Sequence, residues 1–515
     1  MPGALHGNTP NRLRAGKGVK SAFFVAGLAM STSYPFSIYA VRTETAALWR
    51  LAWPMLIGQL ATVGMGVADV AMTGHASAEE LAAVSLGAAI WTIILVTVSG
   101  TMMAINTIVA HEVGAGQVGA VNRLAGRIPD AGRIPHVVRQ ALWKALGIGL
   151  AACLLANLAT LLFDHLQLTP DIHAKASLYV HWISLGLPPF AAYRALYGYS
   201  TSINQTKPVM LIAVAAFLLN VFINWLLIFG NWGMPKMGGV GCAVATALSM
   251  WLMLGAMLAW IKVAPAYRST YPFTHWEWPH WLEIKGMLRL GLPIGVTYFA
   301  EVSAFGAVSL LVARFGVVQM SAHQIALNFS SLVFMVPLSF GIALITRVGQ
   351  ALGRGNPQQA RFTAWVGVAM ALVFAVLSAL LITVFRHQIA RAYTSDPEVQ
   401  ALCAHLLLFA ALFQLSDATQ VATSCAIRGY RVTRQPMLIQ LLAFWGFSLP
   451  LGYVLGLAPP GFPWTPNEPM AAGGFWIGLT LGLTVAALLL TWFLHRLSQQ
   501  RIRGQARSIG ITTVV

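Results

Sequence analysis

Twelve apolar runs, most of them 20 to 28 residues long, limit the fold of this chain more than any other feature. They cover approximately 50–73, 81–109, 141–163, 178–200, 207–230, 239–262, 290–314, 322–346, 363–386, 400–427, 435–457 and 472–495. A helix needs about 20 apolar residues to cross the hydrocarbon of a bilayer, roughly twice what a barrel strand needs. Within hydrocarbon, each backbone N–H and C=O must find its partner inside the spanning segment. The runs therefore predict an all-α integral membrane protein with twelve transmembrane helices. Composition agrees, because only 9% of the 515 residues are charged and 57% are hydrophobic, whereas a soluble domain carries about 25% charged residues.

The net charge of +17 does not point to nucleic acid. Of the 32 Lys and Arg, 26 fall in the amino-terminal segment, the tail and the loops after even-numbered spans, and five fall in the other loops. Basic residues gather on the cytoplasmic side, so both termini are expected in the cytoplasm, with the chain in a bacterial-type inner membrane. Cys153, Cys242, Cys403 and Cys425 sit inside apolar runs without metal-ligand spacing and read as packing residues.

The chain repeats itself. Pro54, Gly114 and Gly116 recur 239 residues later as Pro293, Gly353 and Gly355, and Tyr199 in GYSTSINQTKPVMLI answers Tyr430 in GYRVTRQPMLI. Six spans is an even number, so the halves share an orientation and form two pseudo-symmetric six-helix bundles about an axis along the membrane normal. The expected organisation is a basic, disordered extension at 1–45, a first bundle at 46–263, a connector at 264–289, a second bundle at 290–496 and a basic cytoplasmic tail at 497–515. The extension holds a nine-residue apolar run, Ala22–Met30, without a small-residue cleavage site, and Met30 is an alternative start. The connector's Trp276, Trp278 and Trp281 suit a segment lying on the interface. The loop 110–140 contains GRIPDAGRIP and reads as an exposed insertion.

Three of the 15 acidic residues lie inside spans: Asp69 in span 1, Glu301 in span 7 and Asp417 in span 10. An ionisable group costs on the order of 3 kcal/mol at mid-bilayer on insertion scales, and it is kept where it faces a partner, a wet cavity or an ion path. Each acid has polar company. Gln414, Asp417, Gln420 and Ser424 follow one stripe of span 10; Asn220 and Asn224 share a face of span 5; Gln324, Asn328 and Ser331 share a face of span 8. Oxygen-rich surroundings suit a hard cation, and such a carboxylate exchanges a proton, a sodium ion and a cationic substrate. Met65, Met72, Phe305 and Phe413 are the expected adaptable apolar wall of a promiscuous site. Arg194 is read as the one basic residue able to reach the interior, snorkelling from the cytoplasmic end of span 4.

At these residues the sequence resembles a known family. LAWPMLIGQLATVGMGVADVAMTG, FAEVSAFGAVSLLVARFG and FQLSDATQVATSCAIRGY look like spans 1, 7 and 10 of the multidrug and toxic compound extrusion (MATE) family, in its NorM-like branch. The resemblance covers roughly 45–500. It implies a central cleft that opens alternately to each side and exports cationic, often aromatic drugs in exchange for sodium ions or protons. Residue by residue, Glu301 and Asp417 match the family's cation-site acids and tentative sodium ligands, Asp69 its first-bundle acid, and Asn220 and Asn224 the asparagines around that acid. One departure stands out: the family often has Tyr one turn before the span 10 acid, where this chain has Phe413.

The implied protein is an antiporter, not an enzyme. It acts as a monomer, with the bilayer and small organic cations as partners and no cofactor beyond the coupling Na+ or H+. The alternative, a flippase for lipid-linked sugars, calls for several Arg or Lys residues around an anionic headgroup. No HExxH, GxSxG or clustered His pattern falls inside a span.

Overall fold

The computed structural model describes residues 37–124, 133–165, 169–459 and 466–508. All of their regular structure is helical. Span 1 is Ile38–Ala76; span 2 is Ala78–Met102 continued by Ala104–Leu124; span 3 is Arg133–Ala159; span 4 is Pro170–Ser184 followed by Leu187–Ser202. Spans 5 and 6 are Lys207–Phe229 and Gly238–Val263. The second bundle has Trp281–Val312, Val317–Gly353, Pro357–Tyr393 and Pro397–Gly429 as spans 7 to 10, a composite span 11 over Arg434–Leu457, and Ala471–Ser508 as span 12. Among the described residues, eleven helices are long and apolar enough to cross a membrane unaided. Span 4 is the twelfth crossing, broken at Leu185 and Gly186 because Pro188 and Pro189 supply no N–H to the preceding turn.

Two boundaries differ from the sequence expectation. Span 1 begins at Ile38, eight residues inside the supposed extension, and its first turns bury Glu44. Span 12 runs on to Ser508, well into the supposed tail. Residues 1–36, most of the duplicated GRIPDAGRIP segment and 509–515 lie outside the described residues.

The repeat is visible in the packing. Span 7 packs on span 2 and span 8 on span 1, a symmetry-related pair, while span 8 also crosses the second half of span 2. At that crossing Gly114 lies against the Gln350 carbonyl and Gly353 against the His111 carbonyl, so each repeated glycine admits the partner's backbone. A side chain on either would collide with main chain, which is why the repeat keeps glycine there.

The hydrogen bonds joining the bundles, among the described residues, lie between mid-depth and the end that carries Ser37 and Ser508. Glu44 accepts from Arg347 and from Thr363 (3.0 Å). Thr346 donates to Asn106 Oδ1 (3.0 Å), Gln350 to the Ser202 carbonyl (2.8 Å), and His111 Nε2 meets the Gly429 carbonyl (2.8 Å). The principal apolar core also crosses between bundles here, whereas a second core around Phe413, Phe475 and Trp476 belongs to the second bundle alone. The two bundles are closed at the terminal end and separate toward the other.

The connector docks on the start of span 3 at this same end. Arg139 donates to the Pro272 carbonyl (2.6 Å) and to Glu277; Trp143 donates to the Glu277 carbonyl (2.9 Å). The Arg139 hydrogen bond, with His136 and His275 beside it, holds the Glu277 carboxyl down to about 2. Trp276, Trp278 and Trp281 remain exposed, as an interfacial belt requires.

Candidate functional site

Between the separated parts of the bundles lies a cavity of about 530 Å³, the size that accepts a drug-sized molecule. Seven of the residues singled out in the sequence line its second-bundle wall: Glu301 and Phe305 from span 7, Gln324, Asn328 and Ser331 from span 8, Phe413 and Asp417 from span 10. The first-bundle wall includes Gln59, Thr62, Met103, Arg194, Tyr197 and Met253. Phe305 and Phe413 meet edge to face at 6.0 Å, and Phe413 meets Trp476 at 5.8 Å. The two phenyl rings give the wall area and rigidity without polar atoms, with Trp476 packed behind Phe413.

Asp417 is 3% exposed and its Oδ1 has no hydrogen-bond partner. Span 11 helps to hold span 7 in place. It winds as a π-helix over Leu442–Ser448, and Trp445 Nε1 donates to the Ala300 carbonyl, one residue before Glu301 (3.1 Å). Such π turns recur at functional sites because they re-aim side chains. Behind the cleft, Glu301 also faces a chamber of about 10 Å³ shared with Tyr298, Gln420, Ser424, Arg428 and Gln440, room for about one water. Arg428 lies over the Tyr298 ring at 5.3 Å. Among the described residues no cluster of three or more His, Cys, Asp or Glu is placed to hold a metal ion. A bare cation at Glu301 and Asp417 would need amide, hydroxyl or water oxygens beside two carboxylates.

Asp69 belongs to a separate, sealed site in the first bundle. Asn224 donates to its Oδ1 (2.6 Å) and Thr246 to its Oδ2 (2.7 Å), while Asn220 donates to Thr246 (3.2 Å) and accepts from Asn224 (3.2 Å). Asp69 does not line the cleft. The structure thus divides the three acids into a pair facing a cavity and one enclosed by hydrogen bonds.

Several expectations are corrected. Met65 is 2% exposed and Met72 packs on the principal apolar core; neither lines the cleft, whose span 1 face ends at Val63. Met103, Met250, Met253 and Met335 take that part instead. Gln414 is buried away from the cleft with an unpartnered Nε2, and Gln420 pairs with Gln440. Arg194 does not snorkel: it lines the cleft with its guanidinium 4.5 Å from the centre of the Tyr197 ring. Nor is it the one interior base, since Lys144 and Arg428 are 2% and 4% exposed. Sequence reading placed both at span ends; the Gln420–Ser424 stripe, continued by one turn, reaches Arg428. Thr246 was also legible, because Cys242, Thr246 and Ser249 form a polar stripe on span 6. Buried His323 accepts from Trp476 (3.2 Å) and meets Ser309 (3.2 Å) inside the second bundle; its place within the apolar run 322–346 was the sequence signal for it.

Comparison with known proteins places this arrangement. The family model described as MatE matches residues 54–128, 130–226 and 293–454. The chain is similar to the multidrug resistance protein PmpM of Pseudomonas aeruginosa, at 43% identity covering 91% of this chain and 94% of that one. It is also similar to a probable multidrug resistance protein NorM of Chromobacterium violaceum, at 38% identity covering 90% and 96%. Its fold is similar to that of the eukaryotic MATE transporter AtDTX14, with a TM-score of 0.79 at 20% identity, covering 91% of this chain and 99% of that one. By its matched helices and by these relatives, the chain belongs to the MatE family.

Proposed function

We propose that this protein is a multidrug efflux antiporter that exports organic cations through the cleft between its bundles in exchange for sodium ions or protons. The carrying observation is the cavity itself: two span carboxylates, Glu301 and Asp417, stand in the second-bundle wall of a cavity large enough for a drug, beside the rings of Phe305 and Phe413. Unpaired acids in such a wall attract either a coupling cation or a cationic drug, and competition between the two is the coupling. The charge bias of the loops makes the closed end cytoplasmic, so this conformation is open outward. Each elementary charge entering the cell gains about 2.3 kcal/mol per 100 mV of potential. A flippase is not the reading, because the relatives are named as multidrug resistance proteins.

The test is uptake of a fluorescent organic cation into inverted vesicles under a sodium gradient and a pH gradient imposed separately. Wild type is compared with Asp69→Asn, Glu301→Gln and Asp417→Asn. One gradient is expected to drive uptake and the cleft variants to abolish it. Wild-type rates in both E301Q and D417N, normally inserted, sink the proposal.

A further inference from the structure

The cleft has a second electrical pole. Arg194 sits in the half of span 4 that begins at Leu187, facing the same cavity as Glu301 and Asp417 but from the opposite bundle. Its Nε is buried without a hydrogen-bond partner, and among the described residues no carboxylate forms an ion pair with it. Tyr197 lies under the guanidinium, and Tyr193 meets the Tyr197 ring at 6.4 Å. Stacking fixes the plane of the guanidinium and leaves its edge for hydrogen bonding.

Arg194 lines the open cavity, so water can reach the part of its guanidinium that is not buried. A ligand that fills the cleft strips that water away. An uncompensated charge is then expensive, unless the ligand itself supplies an acceptor. The acceptor that fits a planar fork is a carboxylate, bound through two parallel hydrogen bonds. A ligand with only a positive group satisfies one wall and leaves Arg194 bare.

We propose that Arg194 is a specificity-determining residue that selects amphoteric aromatic molecules, those carrying a carboxylate as well as a cationic nitrogen. This rests on the reading of the cavity as the drug site. The cationic end faces Glu301 and Asp417, the carboxylate faces Arg194, and the aromatic body lies between Tyr197 on one wall and Phe305 on the other. Such a molecule spans the cleft and bridges the bundles, which a purely cationic one does not.

The test is equilibrium binding to purified protein in nanodiscs, read by fluorescence anisotropy, so that it does not depend on transport. The probes are a rhodamine ethyl ester, which is cationic only, and its free acid, which has the same cationic ring system plus a carboxylate. Wild type is expected to bind the free acid at least as tightly as the ester. Arg194→Gln is expected to weaken the free acid about tenfold or more, the usual range for a hydrogen bond to a charged group, with the ester changed less than about twofold. Arg194→Lys should restore part of the loss. Equal weakening of both dyes, no change in either, or R194K as weak as R194Q overturns the proposal. Wild-type protein decides even if the variants fail to insert: binding the ester while rejecting the free acid overturns it too. If wild-type protein binds neither dye, the reading of the cavity as the drug site fails instead.

Discussion

Glu44, in the second turn of span 1, accepts two hydrogen bonds from Arg347 of span 8, at 2.9 Å to Nε and 2.6 Å to Nη2. Glu44 is 7% exposed at its side chain and Arg347 22%, and Thr363 donates to the same carboxylate. This fork joins the two bundles at their closed end. Removing one partner of a buried pair leaves the other uncompensated, at about 3–5 kcal/mol, whereas removing both is far milder. Arg347→Ala should therefore lower the thermal midpoint in detergent and raise cysteine labelling of the closed end. The double variant Glu44→Ala/Arg347→Ala should recover much of the stability. If the single and double variants are equally destabilised, the pair is not acting as a latch.

Gly114 and Gly353 mark the crossing of spans 2 and 8, where a Cβ on Gly114 would also lie 3.0 Å from the Arg354 nitrogen. Gly353→Ala should prevent the bundles from meeting there while each bundle stays folded. The expected result is loss of drug export at near-normal membrane insertion, with increased labelling at the terminal end. Export at the wild-type rate would show that the close approach is dispensable.

The Asp69 site makes a different prediction. Thr246→Val deletes the hydroxyl that donates to Asp69 Oδ2 and accepts from Asn220. Losing a buried hydrogen bond of this kind costs about 1–3 kcal/mol. The variant should unfold more easily, yet the affinity of the cleft for a cationic dye should hold, because neither Asp69 nor Thr246 lines it. A large fall in dye affinity would mean that the two sites communicate.

Connector docking should be acid-sensitive. The Arg139 hydrogen bond holds Glu277 at about 2, below its ordinary 4.5, with His136 and His275 adding to the effect. A depressed carboxyl stabilises the docked form above its ordinary value, and that contribution fades as pH falls from about 4.5 toward 2. Amide protection of residues 264–280, taken relative to the intrinsic exchange rate at each pH, should fall as pH drops below about 4.5. Glu277→Gln should remove the pH step and leave the connector looser throughout.

Much of this molecule was legible in the sequence because a bilayer admits few solutions. Run length and the obligation to pair every backbone group dictate twelve helices. An even number of spans per repeat dictates parallel halves, and the scarcity of interior charge singles out Asp69, Glu301 and Asp417. None of these inferences needs to know which helix touches which.

Only the tertiary structure decided how those residues are grouped. One acid per first helix looks symmetrical in sequence, yet Asp69 is closed over by Asn224 and Thr246 while Glu301 opens on the cleft with Asp417. Arg194 and Arg428 read as span-end bases because periodicity gives the face of a helix but not the neighbour that face meets. Helix rotation and the kinks at Gly186 and at the π turn of span 11 set those neighbours. They depend on packing between segments far apart in the chain, and no local pattern carries that information.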